Sequence, residues 1–418
     1  MPNRLAFFLA QALFAIIFLI YAASPINTSY DSQVSLHTAM SLLHGKGGDL
    51  TDYMREMPGD TYVLEYPDGK PRNRYPIGPS LLALPGVFIA SWILPDFADR
   101  LRKGRTDCLE KIFASVIGAM AAVVFFWLIY DHFQSIWIAG SSTLIFAFST
   151  SMWSTATRAL FQHGPLVLML VIAMLLLQRS RNRPALAQYA GAPLAFAFLC
   201  RPTAIVPIVV LSTYVLWFHR RRFIHYLCWA AVITVPWIAY NISIYGVPFT
   251  AYYLTGLGQG QSSMWESVLG NLLSPSRGLL VFSPVLIFSI SGFVLAMCEH
   301  QERPLNIAYG LIVALMFVII VRAPIWWGGH SFGPRFTTDL LPFLVFFTSF
   351  TFAHFGKPGN RARMTAISGA VVLAIASLLI HAQGAIRPEP LAWNAVPDNI
   401  DNDPARAWDW RDPQFMRH

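Results

Sequence analysis

Apolar runs of about 20 residues recur along this chain, and a run of that length is what an α-helix needs to cross a lipid bilayer. The first, 5–23, contains no charged residue. Others lie near 112–130, 136–151, 164–178, 185–200, 203–218, 224–241, 279–297, 305–322, 338–354 and 364–382. A bilayer core leaves no partner for an open backbone, so such runs cross as helices. The pattern predicts an all-α polytopic membrane protein with about eleven spans. Composition agrees. Of the 418 residues 55% are hydrophobic and 12% charged, against roughly 25% charged in soluble domains.

The stretch 77–94 (IGPSLLALPGVFIASWIL) is apolar too, but Pro79 and Pro85 interrupt it. Charge decides how to read it. The formal charge of +8 sits largely in the basic clusters 179–183, 219–223 and 357–363, which suits cytoplasmic loops better than nucleic acid. With the N-terminus inside, all three clusters fall in the cytoplasm only if 77–94 lies along the outer leaflet without crossing. RLRKGR at 100–105 argues the other way. In this arrangement the polar segments collect outside: the first loop 24–111, the turn 152–163, Arg201-Pro202, 240–278, 325–337 and the tail 384–418. Residues 1–383 then form one transmembrane unit, and the tail is too short for a domain of its own. The four cysteines show no paired spacing, so neither a disulfide framework nor a zinc site is expected. No GxxxxGK[ST] or GxGxxG motif offers a home for a nucleotide.

Candidate functional residues cluster in the outer segments. Asp31 follows the first span, before a stretch (34–43) with Val34, Leu36, Met40 and Leu43 on one side of an amphipathic helix expected to lie on the bilayer. Asp31 reads either as that helix's cap or as a catalytic acid or base. Arg74 and Tyr75 precede the 77–94 stretch, as interface anchors or as ligands of a phosphate. Arg158 and His163 lie between two spans, where a charged group is costly and usually serves a site. Arg277 abuts another span. The segment IWWGGHSFGPRFTTD (325–339) supplies Trp326, Trp327, His330, Arg335 and Asp339. Asp339 stands at i,i+4 spacing from Arg335, which reads as a helical ion pair. Arginine binds phosphate well, often with two hydrogen bonds, and the aromatics would stack on a sugar ring. The surface therefore suits an anionic lipid carrying a saccharide.

The order of these features resembles the GT-C glycosyltransferases that use polyprenyl-phosphate sugars, the bacterial relatives of protein O-mannosyltransferases and of lipid A aminoarabinose transferases. The resemblance rests on Tyr30-Asp31 after span one, on RYPIGPSLLALP (74–85), and on WSTATRALFQHGP, SPSRGLLVFSP and WWGGHSFGPRFTTDLLP, and it covers most of 1–355. It implies a GT-C-like bundle with juxtamembrane helices in the first outer loop. It also implies a bacterial cytoplasmic-membrane location and an inverting transfer outside that membrane. The donor would be a polyprenyl-phosphate-linked sugar, hexosyl or pentosyl, and the acceptor an envelope glycolipid or polysaccharide rather than a protein. By position Asp31 would be the base. The remaining candidates would bind donor phosphate or sugar. Many members carry a second acid in the outer turn after span three; here that turn has Arg158, Gln162 and His163. No cofactor is required by the resemblance, and a divalent metal is left open. Two other readings use the same arginine-rich surface: a transporter or flippase of a lipid-linked saccharide, and a non-catalytic subunit of an envelope assembly.

Overall fold

A computed structural model describes residues 4–28, 30–54, 62–104, 106–255, 263–355 and 361–417. Residues 357–360 and Arg105, which belong to basic clusters used above, lie outside the described residues. In chain order the helices are α1 Arg4–Ala23, α2 Ser35–Leu43, α3 Gly78–Ile93, α4 Phe97–Arg102, α5 Asp107–Phe133, α6 Ile136–Phe148, α7 His163–Arg179, α8 Gly191–Cys200 and α9 Ile205–Phe218. They continue with α10 Phe223–Tyr245, α11 Ala251–Thr255, α12 Met264–Leu273, α13 Leu279–Phe282, α14 Phe288–Met297, α15 Arg303–Val321, α16 Leu341–Phe355, α17 Arg361–Ile386 and α18 Glu389–Ala392. Among the described residues six helices are long and apolar enough to cross a membrane, and six shorter apolar helices accompany them. Each of the eleven expected stretches falls on one of these; the remaining short one is α3. The protein is an all-α polytopic membrane protein, as its apolar runs dictate.

The bundle has two ends of different character. At one end Lys111 Nζ donates to the Ser24 carbonyl at 2.8 Å, so α5 starts where α1 stops. The Leu160 amide donates to Glu110 Oε1 at 2.9 Å, and Tyr240 Oη donates to the Gly47 carbonyl at 3.2 Å. The segments expected outside therefore meet at one end. At the other end Arg179 pairs with Asp131 at 2.5 Å, and Arg181 pairs with Glu302.

Both flanks of α3 return to the first end. Before it, Tyr75 Oη donates to Asp31 at 3.0 Å. After it, the Leu101 carbonyl of α4 accepts from His37 Nε2 of α2 at 2.8 Å. Both flanks of α3 thus lie beside the segment 31–37, the arrangement expected of a helix that stays on one side. Its start also lies tight on α8: a Cβ at Gly78 would come within 2.6 Å of the Leu199 backbone. Helix α2 forms where periodicity predicts, but it is not a surface helix, since residues Ser35 to Ser41 are buried. α3 packs against it, and α4 reaches it through His37.

A short hairpin completes the first loop. Leu64 pairs with Asn73 and Glu65 with Arg72, antiparallel. The Arg74 amide donates to the Val63 carbonyl at 2.8 Å. Continuing this register sets Tyr62 opposite Tyr75.

Candidate functional site

Asp31 lies four residues before α2 but does not cap it; Val34 holds the cap position and no side chain caps it. Its carboxylate is instead the centre of a cluster. Oδ2 accepts from Arg335 Nη2. Oδ1 accepts from Tyr75 Oη at 3.0 Å and from Tyr62 Oη at 3.2 Å. The hairpin thus delivers both phenols to one oxygen. Burial would raise the Asp31 carboxyl's pKa, but the charge and hydrogen bond of Arg335, with the two phenols, outweigh it and hold it below the usual carboxylate range. The Arg335 guanidinium also stacks 5.0 Å over the Phe161 ring, and its buried Nε–H has no partner among the described residues.

A second cluster lies one helical turn away. Arg335 precedes the 3-10 turn Phe336–Leu340 and Asp339 lies within it, yet they do not pair. The helical ion pair expected from their spacing is replaced by two long-range sets. Asp339, 1% exposed, takes His163 Nδ1 at 2.7 Å, Arg201 Nε at 3.3 Å and Thr203 Oγ1 at 3.3 Å. His163 gives its Nδ1 proton to Asp339, which leaves Nε2 to accept from Arg201 Nη1 at 2.8 Å. Arg201 also lies 5.7 Å over the Phe336 ring. Gln162 and Tyr252 link the clusters: Gln162 Nε2 donates to Tyr252 Oη at 2.8 Å, and the Tyr252 ring packs edge-on to Tyr75 at 5.4 Å.

Two spaces open here. A cleft of about 10 Å³ is bounded by Asp31, Tyr75, Phe161, Gln162 and Arg335. A cavity of about 400 Å³ lies between α8, α9 and α15, with Arg201, Thr203 and Tyr252 at its polar end and Phe198, Ile205 and Ile319 among its apolar walls. Among the described residues no group of three or more His, Cys, Asp or Glu side chains stands where it could hold a metal ion.

The other expected ligands sit elsewhere. Arg158 is buried and donates to the Tyr21 and Ser24 carbonyls, at 2.8 and 3.3 Å. It closes the C-terminal end of α1, where a cation meets carbonyls left unpaired by the helix. Arg277 is buried with all five N–H donors used inside the protein, on the Trp327, Ser276 and Gly329 carbonyls and on Gln414 and Asn394. A phosphate would find no free donor on it. Trp326 and Trp327 are buried against Trp393, Ile400 and Ala407 of the tail and do not wall a sugar site. His330 Nε2 meets Asn399 of that tail at 3.0 Å. Arg74 is exposed at a separate cleft beside Glu65 and Tyr245. Tyr62, Thr203 and Tyr252 join the site without having been singled out as ligands, and Arg201 joins it from the set of outer-face arginines. For Tyr62 the signal was the Pro67-Asp68-Gly69 turn, whose residue types favour a hairpin. For Arg201 it was an arginine directly after an apolar run.

A bundle of long and shorter apolar helices, with a first loop folded over one end and a half-buried acid after α1, gives a GT-C-like membrane fold. The particular likeness is to ArnT from Cupriavidus metallidurans. In its complex with undecaprenyl phosphate, ArnT matches 91% of this chain and 70% of its own at 14% identity, with a TM-score of 0.57. In the apo state the match covers 94% and 68% at 17% identity, with a TM-score of 0.54. No family model and no curated protein matches the sequence.

Proposed function

We propose that the protein is an inverting membrane glycosyltransferase. It would move a monosaccharide from a polyprenyl-phosphate carrier to an acceptor hydroxyl, on the face that positive-inside charge makes extracytoplasmic. The observation that carries this is the contact of Asp31 with Arg335, a carboxylate and a cation with one buried N–H to spare, on a fold shared with a protein crystallised with undecaprenyl phosphate. Fold likeness alone is analogy; the residues supply the chemistry.

Asp31 takes the proton of the acceptor hydroxyl. The acceptor oxygen forms a bond to the anomeric carbon while the bond from that carbon to the lipid phosphate breaks, and the phosphate leaves with the electron pair. Arg335 offers its free Nε–H and its charge to that phosphate. Arg201 adds its charge from the mouth of the 400 Å³ cavity, whose apolar walls suit the first isoprene units. Tyr62 and Tyr75 fix the carboxylate. Phosphate contact with Arg335 weakens its hold on Asp31, so donor binding frees the base. The sugar, hexose or pentose, and the acceptor, an envelope glycolipid or polysaccharide, follow the resemblance.

The test is transfer from radiolabelled polyprenyl-phosphate sugars into membrane extracts. Asp31→Asn should lose at least about a hundredfold, the range of positioned proton transfer, while staying inserted and folded. Undiminished transfer by that variant would remove Asp31 from the chemistry.

A further inference from the structure

We infer that the C-terminal tail is a positioning device for Arg335, acting through Asn394, Gln414 and Arg277. The inference rests on the reading of Arg335 given above.

Arg335 follows a loop, 326–334, that cannot hold its own shape. Gly328, Gly329 and Gly333 adopt left-handed φ of +72°, +64° and +63°, so the backbone turns repeatedly. Most of its polar groups look to side chains from elsewhere. The Trp327 and Gly329 carbonyls accept from Arg277. The Ser331 carbonyl accepts from Gln414 Nε2 at 2.8 Å and from Asn394 Nδ2 at 3.1 Å. The Gly333 amide donates to Gln414 Oε1 at 3.0 Å, and the Arg335 amide in turn donates to the Gly333 carbonyl at 2.9 Å.

The three side chains also hold one another. Arg277 Nη1 donates to Gln414 Oε1 at 2.7 Å and Nη2 to Asn394 Oδ1 at 2.6 Å. Asn394 and Gln414 are fully buried and Arg277 is 2% exposed. A buried polar network of this kind fixes one geometry because any looser arrangement leaves donors unpaired. It reaches within two residues of Arg335 and touches neither Asp31 nor the cavity. The chain thus uses its tail to set where a guanidinium sits at the other end of a glycine loop.

The readout is the protonation of Asp31, which needs no turnover. Carbodiimides attack a protonated carboxyl, so labelling of Asp31 against pH, read by mass spectrometry in detergent, reports how firmly Arg335 is held against it. The other groups facing that carboxyl are Tyr62 and Tyr75, with Tyr252 behind them. Arg335→Leu sets the scale, with a midpoint raised by ~1–3 pH units, the range an adjacent arginine commands. Gln414→Leu should raise the midpoint part of that way. Gln414→Glu keeps the oxygen that accepts from Arg277 and the Gly333 amide but loses the donor to the Ser331 carbonyl, so it should recover only part of the wild-type value. Leu128→Ala truncates the core at the other end of the bundle and should lower stability without moving the midpoint. If Gln414→Leu fails to accumulate, Gln414→Asn, one methylene shorter, withdraws the amide at less cost in packing. A wild-type midpoint in the Gln414 variant overturns the inference, and so does an equal shift in Leu128→Ala. Absent transfer with a shifted midpoint would count against the proposed activity and leave the positioning role standing.

Discussion

Asp31 is charged in a place that would neutralise it but for Arg335. Its pKa is lower in the folded protein than the roughly 4 of an unfolded chain. A group with a depressed folded pKa gives stability that is fully present above the unfolded value and lost as pH falls through the folded one. Arg335→Leu should therefore cost ~1–3 kcal/mol at pH 7, less than a fully buried pair because both partners keep some exposure. The cost should shrink below about pH 4 to the packing lost from Phe161. Thermal unfolding in detergent at the two pH values checks this, and a cost that ignores pH would mean the pair contributes nothing. Asp31 itself was legible from its place after span one. The identity of its cation was not: Arg335 is 304 residues away, and local spacing pointed it at Asp339 instead. Spacing of i,i+4 decides a pair only where no stronger long-range partner competes. Here Asp339 has His163 and Arg201, and Arg335 has Asp31.

The spans were readable because one physical requirement, closing backbone hydrogen bonds in lipid, writes itself as an unbroken apolar run. Helix α3 satisfies the same composition, so hydropathy alone does not decide whether it crosses. Charge balance votes against a crossing, and the contacts on both flanks of α3, from Tyr75 to Asp31 and from α4 to His37, agree with that vote. A cysteine-free variant carrying Tyr66→Cys or Lys103→Cys should be labelled by a membrane-impermeant maleimide from the same side of sealed vesicles. Arg183→Cys should label from the opposite side. All three positions are exposed. Opposite labelling of positions 66 and 103 would show that α3 crosses. The reading of α2 as a surface helix failed because its sequence has an apolar side in either setting. The covering elements α3 and α4 lie 35 to 59 residues downstream of its end, too far for its own periodicity to announce.

At the scale of the molecule, the two polar clusters and the apolar cavity lie side by side at one end of the bundle, linked by the turn 336–340 and by the Gln162–Tyr252 bond. Asp31 and Arg335 face the cleft, the 3-10 turn carries the chain to Asp339, and Arg201 leads into the 400 Å³ space between α8, α9 and α15. This separation of acid and cavity mouth makes binding and chemistry divisible by mutation. A polyprenyl phosphate should stabilise the protein against heat by about 2.7 kcal/mol when present at a hundred times its Kd, and the prenyl alcohol of equal length should do much less. Arg201→Gln should lose most of the ligand-induced increment, whatever its own starting Tm, because the phosphate then lacks its partner at the cavity mouth. Asp31→Asn should keep the increment and lose only transfer. Equal stabilisation by alcohol and phosphate would mean that the cavity reads a hydrocarbon chain alone, and the headgroup would then have to be sought at Arg335. An increment that survives Arg201→Gln but disappears with Arg335→Leu would locate it there.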